Sequence, residues 1–96
     1  MYDYTGWIVR ATAGRDRDGI FCVVGMDQGQ ARLLLADGKR RKVSHPKHKK
    51  LGHVTALTDQ MHGFDHPAIQ KLKQGEALSD KELRRALAAF RDQLEV

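Results

Sequence analysis

A five-stranded barrel followed by two α-helices is the architecture that these 96 residues predict. Three observations carry that reading. Residues 1–57 hold short β-branched or aromatic runs bounded by glycine turns, and residues 58–96 change to apolar side chains at helical spacing. Ser79-Asp80-Lys81-Glu82 has the spacing of a helix capping box. The predicted division is therefore a β barrel over 1–57 and a helical appendage over 58–96, packed on it.

Trp7 to Thr12 is the first predicted strand, set between Gly6 and Gly14, with Trp7, Val9 and Ala11 on one face. Ile20 to Val24 is apolar throughout and lies between Asp18-Gly19 and Gly25, which suits a buried strand better than a helix. Asp27 to Gln30 reads as a tight turn, and Ala31 to Ala36 as the third strand. Asp37-Gly38 follows as a hairpin signal, because both central residues of a type I′ turn need positive φ. Lys39 to Val43 is then the return strand, broken by Pro46, which has no N–H to give a ladder. Leu51 to Leu57 is the fifth strand.

Asp65-His66-Pro67 opens the first helix and Gly75 closes it. Ser79 caps the second, along which Leu83, Ala86, Leu87, Phe90 and Leu94 form one apolar stripe. Lys81, Arg84, Arg85, Arg91 and Asp92 lie mostly off the stripe. A helix this short is marginal alone, so the stripe must bury against the barrel, a partner protein or a second copy.

Charge is uneven along the chain. The net charge of +5 divides into +6 over residues 1–57 and −1 over residues 58–96. Lys39 to Lys50 places seven Lys/Arg in twelve positions and no acid. Such a balance points to a polyanion, nucleic acid before an anionic membrane. The single cysteine, Cys22, excludes an internal disulfide and a four-cysteine zinc site, and fits a reducing, cytoplasmic setting. No strictly apolar run exceeds five residues, too short to span a bilayer, and the N-terminus shows no secretory signal.

Gly6-Trp7-Ile8-Val9-Arg10-Ala11-Thr12-Ala13-Gly14-Arg15-Asp16-Arg17-Asp18-Gly19-Ile20-Phe21-Cys22-Val23-Val24 resembles a KOW motif: strand, loop, strand, with a glycine midway. The continuation from Leu33 to His45, with Ala36-Asp37-Gly38 and Lys39-Arg40-Arg41-Lys42, resembles the ribosomal proteins L-fourteen-e, L-six-e and L-twenty-seven-e. The resemblance covers residues 6 to about 57. It implies an SH3-like barrel of the kind found in ribosomal proteins and NusG-type transcription factors, contacting RNA, with ribosomal RNA or the large ribosomal subunit as partner. A role in translation or ribosome assembly follows from the same likeness.

The residues expected to contact RNA are Lys39, Arg40, Arg41 and Lys42 on the basic strand, then His45, Lys47, His48, Lys49 and Lys50 after it. With Val43 turned inward, Arg40 and Lys42 point out. The alternative for this run is a solvated edge that prevents strand pairing between molecules. Arg15 and Arg17 either clamp a nucleic-acid backbone with their guanidinium forks or pair locally with Asp16 and Asp18. Aromatic residues are few. Trp7 reads as core, Phe64 as a plug for the barrel, and Tyr2 and Tyr4 as a terminus that stacks or frays, so backbone recognition is favoured over base reading.

No GxSxG, Walker A, HExxH or Cys/His/Asn set is present. His45, His48, His53, His62 and His66 read as polar loop residues and Cys22 as a core residue. The expectation is a non-enzymatic module with no cofactor and no metal. Its rivals are a protein-interaction module working through the helical stripe and a NusG-like nucleic-acid factor.

Overall fold

Residues 2–58 and 63–94 are described by the computed structural model. Five antiparallel strands make one sheet: β1 (Ile8–Ala11), β2 (Ile20–Asp27), β3 (Arg32–Ala36), β4 (Lys47–Lys50) and β5 (Val54–Ala56), in the spatial order β4-β3-β2-β1-β5. Two helices follow, α1 (Pro67–Lys73) and α2 (Asp80–Leu94). No helix among the described residues is long and apolar enough to cross a membrane.

The connection between β4 and β5 forces the sheet to curl. These are the two edge strands, yet only a three-residue 3-10 turn, Leu51–His53, joins them. The four Cα steps from Lys50 to Val54 reach at most about 14 Å. The edges of a flat five-stranded sheet stand about 19 Å apart. The Lys49 ammonium on β4 ties the curl by donating to the Ala13 carbonyl just past β1 at 2.7 Å, while Thr12 N–H donates to the His53 carbonyl at 2.9 Å and carries the β1–β5 ladder into the turn.

Curling gives the sheet two apolar faces and the molecule two cores. Val9, Ala11, Phe21, Val23, Leu33 and Leu35 fill the concave side, with Trp7 and Val54 against them. Ile8, Cys22 and Ala36 point the other way and meet Phe64, Ile69, Leu83, Leu87 and Phe90. The uniformly apolar run of β2 is thereby explained: Phe21 and Val23 serve the inner core while Cys22 serves the helix-side core. Burial pushes the Cys22 thiol up to about 12. A register shift between Val23 and Gly25 bends β2, which continues to Asp27.

The helices form for the reasons their sequence gives. Ser79 Oγ accepts the Glu82 N–H at 3.1 Å, and His66 Nδ1 accepts the Ala68 N–H at 3.1 Å with Pro67 in the first turn. Glu82 does not return the cap but reaches Lys71 at 2.9 Å, linking α2 to α1. Leu83, Ala86, Leu87 and Phe90 are buried within the chain, while Leu94 is 51% exposed and falls outside the packed stripe.

Three expectations are corrected. Lys39 to Val43 is not a strand: residues 37–46 form a loop, and the fourth strand is Lys47–Lys50, entered directly from Pro46. β3 and β4 do form an antiparallel hairpin, but through this long loop and not through a two-residue Asp37-Gly38 turn. Asp37 Oδ1 accepts the N–H groups of Lys39 and Arg41 at 2.9 and 2.8 Å. Gly38, at φ +79°, lies against the first turn of α2, where a Cβ would collide with the Asp80 carbonyl oxygen. Val43 N–H then donates to Asp80 Oδ1 at 2.8 Å. Second, Leu51–His53 is 3-10 helix, and β5 shortens to Val54–Ala56. Third, Phe64 does not enter the concave side but packs edge-on against Phe90, ring centres 5.4 Å apart, in the helix-side core.

Candidate nucleic-acid interface

The basic run divides by what each side chain meets. Arg41 turns inward to Asp16, with Nη2 to Oδ2 at 2.8 Å and Nε to Oδ1 at 3.2 Å. That two-point bond holds the buried Asp16 carboxyl below its ordinary range and raises the Arg41 guanidinium above its own. Lys49 is 7% exposed, its stem over the inner core beside Leu33 and its ammonium on Ala13. Both were expected to face RNA; both are internal fasteners, because the curl of the sheet brings Asp16 and Ala13 within their reach.

The other cations stay outside. Arg15, Arg17, Lys39, Arg40, Lys42, Lys47 and Lys50 are exposed, and none of them pairs with a carboxylate among the described residues. Asp16 is taken by Arg41 and Asp18 pairs with no cation among the described residues, so of the two readings of Arg15 and Arg17 the local pairing is not seen. Lys47 follows Leu35 on the inner side of β4 and lies within electrostatic range of Asp16. His48 and Lys50 point to the opposite side. There His48 Nδ1 lies 3.3 Å from Asp27 Oδ2, and Lys50 stands beside Arg32. His45 is exposed, with Ser44 Oγ 3.2 Å from its Nδ1.

A cleft of about 360 Å3 opens where the 14–19 loop, the 37–41 turn and α2 meet. Arg17, Lys39 and Arg40 line it from the β side, and Arg84 and Arg91 from the helix. Two carboxylates, Asp16 and Asp37, also stand in its wall, but both are occupied, one by Arg41 and the other by two backbone N–H groups. Arg84 is held in place by donating from Nη1 to the Gly38 carbonyl at 2.7 Å. The result is a concave surface on which five cations stand against one acid paired with Arg41 and one bonded to the backbone, a balance suited to an anion.

Sequence reasoning placed Arg17, Lys39 and Arg40 but missed Arg84 and Arg91. Their seven-residue spacing, two helical turns with Leu87 between, puts both on one side of α2. What the sequence lacked was the loop that this side would face.

Trp7 packs against the inner core, as expected, with Tyr4 edge-on to it at 4.8 Å and Tyr2 at 5.9 Å. Among the described residues no three His, Cys, Asp or Glu side chains are grouped to hold a metal ion. His62 lies outside the described residues. No protein-family model matches the chain, and no curated protein is significantly similar to it.

Proposed function

We propose that this protein is a non-enzymatic RNA-binding module built on an SH3-like barrel of KOW type, acting in the cytoplasm on ribosomal RNA or the large ribosomal subunit. The observation that carries the reading is the set of exposed, unpaired cations on Arg15, Arg17, Lys39, Arg40, Lys42 and Lys47, gathered on the 14–19 loop, the 37–46 loop and the start of β4. Supporting the barrel type are the strand order with β5 beside β1, the 3-10 crossing between the edge strands, and the KOW-like run over β1 and β2.

Recognition of this kind works through phosphates. Each lysine or arginine that neutralises one releases a condensed counterion, so affinity falls with salt. With six contacts, raising salt from about 50 to about 200 mM weakens binding by about three orders of magnitude. The reading makes no use of the apolar stripe of α2, because the chain itself covers it. The test is titration of a ribosomal RNA fragment against the wild type and a Lys39→Glu, Arg40→Glu, Lys42→Glu, Lys47→Glu variant. Binding lost in the variant, with cooperative unfolding retained, supports the reading; unchanged binding refutes it. Competition by duplex DNA as effective as RNA would move the assignment to a NusG-like nucleic-acid factor.

A further inference from the structure

We propose that the cleft between α2 and the two loops holds one backbone phosphate of the bound RNA with its ribose, and that Arg84 and Arg91 are the helix's contacts to it; this rests on the RNA reading above. At about 360 Å3 the cleft sits at the low end of ligand-site volumes, about 300–1,000 Å3, room for a nucleotide fragment and not for a stack of bases.

Its lining divides by chemistry. Lys39, Arg40, Arg84 and Arg91 supply donors, and the partly exposed Ile20 supplies an apolar contact for a sugar. Arg84 is preorganised: its Nη1 is engaged by Gly38, which fixes the guanidinium and leaves its other N–H donors for a phosphate oxygen. Among the described residues the Arg91 side chain makes no hydrogen bond or ion pair, and it is exposed on the cleft lining. Because the walls belong to different elements, a phosphate held here fixes the position of the RNA against both the sheet and the helix, which is what backbone contacts do for register. The helical segment is then part of the interface, not only a cover for the sheet.

The experiment measures RNA-duplex affinity across a salt series for Arg91→Gln, Arg84→Gln and Arg85→Gln. Arg85 carries the same charge on α2 but lines a different concavity, with His66, Lys71 and Glu82. Removing one phosphate contact lowers the salt slope by about one, so the affinity lost between about 50 and about 200 mM salt shrinks about threefold. That result is expected for Arg91→Gln and Arg84→Gln and not for Arg85→Gln. Arg91→Gln keeps the test valid should Arg84→Gln weaken the seat of Gly38, because Arg91 holds nothing else. A wild-type slope in Arg91→Gln, or an equal fall in Arg85→Gln, overturns the cleft assignment while RNA binding stands. Absence of RNA binding by the wild type at low salt overturns the RNA reading itself.

Discussion

Lys47 and Lys49 lie two residues apart on the same side of β4, and they have opposite fates. Lys47 is exposed and unpaired; Lys49 is buried over Leu33 and fastened to Ala13. Arg40 and Arg41 repeat the contrast one loop earlier, the first lining the cleft and the second locked on Asp16. A run of like charge is thus two populations, one that holds the curl together and one that is free to meet a polyanion. Mutations should separate them, the first set through stability and the second through affinity.

The contrast breaks hardest at the seat of the 37–46 loop. Gly38→Ala puts a Cβ into the Asp80 carbonyl at a positive φ, and is expected to cost about 2–4 kcal/mol, read by urea unfolding. Unchanged stability would mean that the loop is not held against α2. Next is Arg41→Ala, which leaves the buried Asp16 carboxylate without its fork. A loss of about 1–3 kcal/mol is expected, against less than about 0.5 for Arg40→Ala. In RNA titrations the two variants should reverse order, Arg40→Ala weakening binding more.

Much of this organisation was legible in the sequence, and the failures share a cause. Strands β1, β2 and β3, both helix starts and the buried stripe follow from alternation, apolar runs and capping, all local signals. The Asp37-Gly38 pair misled because a glycine at positive φ serves a hairpin and a tight docking contact equally well, and Asp80, forty-two residues on, decides which. Arg41 and Lys49 misled for the same reason. Their partners, Asp16 and Ala13, come from the segment just after β1, and only the curl brings them close. Composition found the basic surface; it could not sort that surface into fasteners and unpaired, exposed cations.

Acid titration sharpens the fastener side. The folded-state pKa of Asp16 lies below its ordinary value of 3.8, chiefly through the Arg41 hydrogen bond. A depressed carboxyl stabilises the fold fully above the unfolded-state value and loses that contribution as pH falls through the lower, folded one. The stability gap between wild type and Asp16→Asn should therefore be constant near neutral pH and narrow only below about pH 3.8. A gap that closes already near pH 6 would point to a histidine instead.

The smallest expected effects come from the lysine pair itself, and they test the sorting most directly. Lys49→Met keeps the stem over Leu33 but removes the ammonium. The Ala13 carbonyl loses its donor, which costs about 1 kcal/mol, while a buried charge no longer has to be desolvated, which offsets much of it. Net stability should change by less than about 1 kcal/mol, with RNA affinity and salt slope as in the wild type. Lys47→Met should leave stability within about 0.5 kcal/mol and lower the salt slope by about one. If the two variants reduce the slope equally, charge alone governs binding, and the division of β4 into a buried and an exposed lysine has no functional meaning.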